Sequence, residues 1–228
     1  MEQEIIISSS KYLMKDIVFL GPQGAGKWTQ SRKIMNFFSH FFYFESGAIL
    51  RALRSSPNAL GTYIKNKIDA WEMVDDIFIT KMFESYMLTL PKDKLMLLDW
   101  YPRSLHQAYQ FIDLETKFAK RDFVVIYLDV PQEESIRRIS GRRVCNRCGM
   151  IVNIYSDWEV KSCQRCWWEL VQRHDDKPEL VKRRLELYHQ QTKPLVELFE
   201  NLGVLKKIDG TQSPDQVFEQ IKDIILND

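Results

Sequence analysis

The sequence predicts an α/β fold on a doubly wound, parallel, five-stranded sheet, and two observations predict it. Short apolar runs recur at Ile17 to Leu20, Phe41 to Phe44, Leu95 to Leu98, Phe123 to Leu128 and Val204 to Ile208. Each has strand length and several are β-branched or aromatic, the composition of strands buried on both faces. Longer helix-like segments lie between them, such as Asp75 to Leu88 and Lys177 to Leu202. That alternation is the pattern of a parallel sheet with helices on both faces.

Two stretches interrupt the alternation. Ser46 to Val74 reads as helical, yet it follows a strand without leading straight to the next one. Gly141 to Arg173 holds all four cysteines and has little helical periodicity. Both read as insertions, and an insertion over a ligand site is a candidate moving lid. The expected organisation is a core of residues 16–44, 75–140 and 174–228, with insertions at 45–74 and 141–173 and an N-terminal extension over 1–15.

The bulk numbers exclude several classes. The 228 residues suit one core with small insertions. Basic and acidic residues nearly balance, 32 against 31, which leaves no electrostatic footprint for nucleic acid or an anionic membrane. An anionic ligand must therefore be held by local cations. No apolar run approaches the length of a membrane span. The first residues lack the basic segment and long apolar stretch of a secretory signal. A soluble, cytoplasmic protein without nucleic-acid or membrane partners is expected.

Three motifs carry chemistry. Gly21-Pro-Gln-Gly-Ala-Gly-Lys27 joins the first apolar run to a helix-like segment, and it is a phosphate-binding loop by pattern. Its glycines (Gly21, Gly24 and Gly26) let backbone N–H groups wrap an anion, and the following helix N-terminus favours negative charge. Lys27 would reach the transferring phosphate. Asp99-Trp-Tyr-Pro-Arg103 closes the third apolar run. A carboxylate at the C-terminal end of a central strand faces the crevice where open α/β sheets bind ligands. Asp99 would hold Mg²⁺ through water, with Arg103 on phosphate. Cys145-Asn-Arg-Cys148 and Cys163-Gln-Arg-Cys166 match a closed, structural Cys₄ zinc site. Two disulfides are the alternative, and a cytoplasmic location disfavours them. The four histidines (His40, His106, His174 and His189) show no ligand or nucleophile spacing.

Taken in order, these motifs resemble those of the adenylate kinases. The resemblance runs through Gly-Lys-x-Thr-Gln30, Ser46-Gly-x-x-Leu-Arg51, Asp-x-x-Pro-Arg103 with Gln107, and Gly141-Arg142. It continues through the cysteine pairs, Gln172-Arg-x-Asp-Asp176, Arg184-Leu-x-x-Tyr188 and Ile208-Asp-Gly210, covering nearly the whole chain from about Asp16. It implies a P-loop NTPase-like core, a zinc-clipped lid and a monophosphate-binding helical insertion. The implied reaction is magnesium-dependent transfer from ATP to AMP, giving two ADP, usually by a monomer. The long lid favours AMP over other nucleoside monophosphates.

By match, Gly21, Gly24, Ala25, Gly26, Lys27, Trp28, Thr29, Arg138, Arg142 and Gln212 fall at ATP positions, with Thr29 and Asp99 toward magnesium. Ser46, Arg51, Ile68, Val74, Trp100, Arg103 and Gln107 fall at AMP positions. Lys27, Arg103, Arg142, Arg173 and Arg184 would neutralise the charge of transfer.

The chain departs from the pattern at several positions, most of them in one direction. Gln23 replaces a proline or small residue, and Ala48 replaces an acidic one. The other departures are tryptophans: Trp28, Trp71, Trp100, Trp167 and Trp168 stand at family glycine positions, and Trp158 stands in a natural Asp-Gly turn. Glycine is scarce, 9 residues where average usage of roughly 7% predicts about 16. A UGA codon, glycine in some bacterial lineages, read here as tryptophan would leave this pattern.

Overall fold

The apolar runs pair as parallel strands in the computed structural model, which describes residues 15–70, 72–119, 122–155, 161–173, 176 and 178–227. Residues 1–14, Trp71, Trp158 and His174 lie outside the described residues. The chain begins β1 (Asp16–Leu20), α1 (Lys27–Phe37), β2 (Phe41–Glu45), α2 (Ser46–Arg54), α3 (Ala59–Asp69) and α4 (Asp76–Thr89). There follow β3 (Leu95–Asp99), α5 (Leu105–Leu114), β4 (Phe123–Asp129) and α6 (Gln132–Ser140). Three short strands come next: β5 (Arg142–Cys145), β6 (Ile151–Asn153) and β7 (Leu170–Val171). The chain closes with α7 (Pro178–Leu187), α8 (Pro194–Asn201), β8 (Leu205–Asp209) and α9 (Pro214–Asn227).

The main sheet has the order β2-β3-β1-β4-β8, and each recorded pairing in it is parallel. From β1 the chain fills one side of the sheet first (β2 at the edge, then β3 beside β1) and then crosses to the other (β4, then β8). This is a topological switch point, and crevices for ligands open there, beyond the carboxyl ends of the strands. Side chains alternate across the sheet. Val18, Leu20 and Leu98 enter one core with α4, α5 and α8, while Ile17, Phe19 and Leu97 enter the other with α1 and α9.

Tyr101 anchors the segment after β3. It is fully buried and stacks on Phe83 of α4 with ring centroids 4.5 Å apart. Phe83→Ala removes this support, and is expected to cost about 3–5 kcal/mol by chemical denaturation. A loss under 1 kcal/mol would mean that the core collapses around the gap.

The helix expected over Lys177 to Leu202 is instead two helices joined by a widened turn, Tyr188–Thr192. Pro194 has no N–H, and its ring clashes with the carbonyl a helical turn before it. The backbone widens, and the Lys193 N–H donates to the Tyr188 carbonyl at 2.9 Å. Ser46 to Val74 forms α2 and α3, and residues 141–173 form an antiparallel sheet of order β6-β5-β7.

Candidate active site

The phosphate-loop pattern lies between β1 and α1, at the switch point. Gly21 has φ 143, and a Cβ there would meet the Leu128 carbonyl oxygen at 2.7 Å, so no other residue fits against β4. Gly26 caps α1 with φ 97. Lys27 is buried and donates to the carbonyls of Gly21 at 2.8 Å and Pro22 at 2.9 Å. Burial pulls its ammonium down to about 8; Asp99 opposes the shift and Arg103, Arg184 and Arg142 add to it. A buried cation among other cations is a strong anion receptor.

Asp99 ends β3, in register with Phe19 of β1 and Glu45 of β2. The Tyr43 hydroxyl donates to its Oδ2 at 3.1 Å, while its Oδ1 is buried without a hydrogen-bond partner. Burial pushes the Asp99 carboxyl up to about 6, against the pull of Lys27. Such an orphaned oxygen beside a phosphate loop fits a hydrated Mg²⁺, a hard cation that takes oxygen ligands.

Arg103 and Arg184 line the same cleft as Lys27, shared with Gly21, Gln23 and Trp100. Burial and the neighbouring Arg184 bring the Arg103 guanidinium down to about 9. A guanidinium keeps its proton in proteins, so the crowding acts as affinity for an anion rather than as titration. The Arg103 backbone is pinned at both ends. Its N–H donates to Gln107 Oε1 at 2.8 Å, and its carbonyl accepts from Thr192 at 3.0 Å.

Asp176, fully buried, organises the arginines of β5 and α7. Arg142 Nε donates to it at 2.8 Å, and Arg184 lies 3.7 Å away. One carboxylate thus ties the foot of β5 to α7. In the sequence Asp176 is one member of the Gln172-Arg-x-Asp-Asp176 motif with no role of its own; its burial, invisible there, marks it as a positioning residue. Glu45 is a second residue that reasoning missed. It lies beside Asp99 in register and accepts from Arg51 at 2.7 Å.

The remaining expected residues distribute unevenly. Arg138 lies behind the phosphate loop, donating to the Gly210 carbonyl at 2.8 Å, and Gln212 accepts from Gln220 at 2.9 Å. Trp28 and Thr29 are half-buried in the first turn of α1, and Ala25 is buried before it. Ser46 donates to the Trp100 carbonyl at 2.7 Å. Gln107 is fully buried, and its amide donates to Asp76 at 2.7 Å. Ile68 and Val74 pack with the α4 side of the core. Arg173 is half-buried after β7, and Ala48 is exposed on α2.

The four cysteine sulfurs lie within 4.8 Å of one another, and all four cysteines are unbridged. Cys145 and Cys166 approach to 3.4 Å, as do Cys148 and Cys163. A tetrahedron with zinc–sulfur bonds of about 2.3 Å has edges of about 3.8 Å, so the cluster fits Zn²⁺ closely. The disulfide alternative does not fit, because the sulfurs are too far apart for bonds.

A family model described as adenylate kinase matches residues 19–204. The chain is 37% identical to the adenylate kinase of Carboxydothermus hydrogenoformans, over 92% of this chain and 98% of that protein. It is 38% identical to the adenylate kinase of Caldanaerobacter subterraneus subsp. tengcongensis, over 93% of this chain and 96% of that one. A further relative, the adenylate kinase of Methanosarcina barkeri, is 36% identical over 92% of this chain and 98% of that one.

Proposed function

The chain belongs to the adenylate kinase family, and on that premise we propose that it transfers a phosphoryl group reversibly from ATP to AMP, giving two ADP, with magnesium. The observation that carries the reading is the convergence of Lys27, Arg103 and Arg184 on one cleft, beside Asp99 and its unpartnered oxygen.

Phosphoryl transfer asks little covalent chemistry of a protein. Positioning, charge neutralisation and exclusion of water do the work. The loop from Gly21 to Gly26, with Ala25, Trp28 and Thr29 at its end, holds the ATP phosphates. Lys27 and Arg184 stand over the transferring group, and Arg103 bridges that group to AMP. Arg142 and Arg173, at the two ends of the lid segment, add charge when it closes; Arg138 and Gln212 flank the adenine side. Ser46, Arg51, Ile68, Val74, Trp100 and Gln107 bound the AMP side, with α2 and α3 as its clamp. Asp99 and Thr29 would hold Mg²⁺, which when bound neutralises phosphate charge. Cys145, Cys148, Cys163 and Cys166 would hold structural Zn²⁺ and stiffen a lid too small to fold alone.

A coupled assay of ADP formation tests the reading. Turnover is expected only with ATP, AMP and magnesium together, and is expected to fall at least tenfold when another nucleoside monophosphate replaces AMP. Tight binding of both nucleotides without turnover, here and with glycine at every tryptophan position, would make the protein a non-catalytic binding module.

A further inference from the structure

Among the described residues, only two other than glycine have φ in the left-handed region, and both are tryptophan: Trp100 at φ 67 and Trp167 at φ 60. For a bulky L-residue this conformation is a true outlier, because its Cβ crowds the backbone. Glycine adopts it freely.

At position 167 the molecule supplies its own control. The two cysteine knuckles are built alike, Cys145 to Gly149 and Cys163 to Trp167. The Gly149 N–H donates to the Cys145 carbonyl at 3.0 Å, and the Trp167 N–H donates to the Cys163 carbonyl at 2.7 Å. The first knuckle turns at φ 71 with glycine; the second makes the same turn with tryptophan. The indole gains nothing in exchange, since Trp167 is 81% exposed.

At position 100 the indole lies in the cleft. Arg103 sits 4.0 Å from its ring centre, Lys27 5.1 Å and Arg184 6.0 Å. The ring thus occupies the space that three cations enclose, where an anion belongs.

We propose that positions 100 and 167 are glycine positions, and that the six tryptophans come from one glycine codon read as tryptophan. The functional protein then carries glycine at 100 and 167, where the backbone calls for it, and the shared codon would extend the exchange to Trp28, Trp71, Trp158 and Trp168. That Trp100 obstructs transfer rests on the kinase reading; the backbone argument does not.

Two experiments decide it. The first is the codon usage of the gene, with the intact mass of the protein from its own cells. UGA at the six positions, and a mass lower by six tryptophan-to-glycine differences, is the expected result. UGG codons, or a mass with six tryptophans, would overturn the proposal.

The second compares W100G with W100A, and W167G with W167A. At a left-handed position glycine should melt about 2–4 °C above alanine in each pair. W168G is the control against W168A: Trp168 is not left-handed, so glycine should not exceed alanine there. Alanine equal to or above glycine at both 100 and 167 would overturn the backbone argument.

Calorimetry with ATP and AMP tests the obstruction. W100G is expected to bind both more tightly than the tryptophan form and to form ADP roughly 10²-fold faster. Weaker binding by W100G would instead make the indole a working cation shelf and overturn the obstruction. A W100G protein that binds tightly but forms no ADP would leave this inference standing and sink the kinase reading.

Discussion

Arg103→Met is expected to lower ADP formation by about 10³-fold or more while leaving thermal stability undiminished. The first half follows from chemistry. A preorganised cation aimed at the transferring phosphate is worth about 10³–10⁵ in rate in related phosphoryl transfers. The second half follows from the crowding of cations in the cleft. Arg103 stands with Lys27 and Arg184 around one indole, and its charge is disfavoured by burial and by Arg184. Removing one of several like charges from a buried site relieves repulsion, which offsets the loss of the stack on Trp100. Both of the backbone bonds that pin position 103, to Gln107 and Thr192, survive the change. A coupled assay beside a thermal melt checks the pair of outcomes. Turnover within tenfold of the parent would remove Arg103 from the transfer machinery. A collapse of the melting midpoint would make it a structural residue.

Stripping the cysteine cluster of zinc is expected to melt the lid and spare the core. Protein made with zinc should carry one equivalent per chain. A strong chelator, or Cys163→Ser, should then abolish hydrogen-exchange protection across 142–171. The main sheet should keep its protection. The reason lies in size and composition. The lid's three strands contribute 4, 3 and 2 residues, and few of their side chains are buried. So small a sheet cannot offset its own ordering entropy without a crosslink. Structural zinc supplies about 10–16 kcal/mol in isolated zinc-finger peptides, ample for this task. Activity should fall with the lid, because Arg142 begins β5 and its bond to Asp176 depends on that strand. A metal-free protein whose lid stays protected would show that β5, β6 and β7 fold on packing alone.

Much of the site was legible as residue types at fixed spacing. Gly21 to Lys27 names an anion cradle because glycines and a helix start are local features. The cysteine pairs name a metal site for the same reason. Asp99 was legible through its place at the end of an apolar run. What escaped were roles defined by partners far along the chain. Asp176 is the clearest case: it joins Arg142 to Arg184 across 34 and 8 residues, and only its burial reveals the duty. Glu45 escaped because its nearness to Asp99 exists only in the register of β2 on β3. The single helix that the pattern predicts from 177 to 202 runs across a proline whose backbone consequence, the widened turn, supports Arg103 through Thr192.

By itself the sequence determined the element types, the parallel sheet, the phosphate-loop pattern and the paired cysteines, since hydrophobic period and short-range spacing encode them. It also showed that tryptophan stands where glycine is expected. Tertiary structure alone decided which cations meet in one cleft and which carboxylate holds the arginines together. It also decided that Trp100 and Trp167 sit at left-handed φ, with one indole lying among the cations. These last facts depend on how distant strands and helices pack. Packing is a property of three-dimensional neighbours, and no local pattern of residues records it.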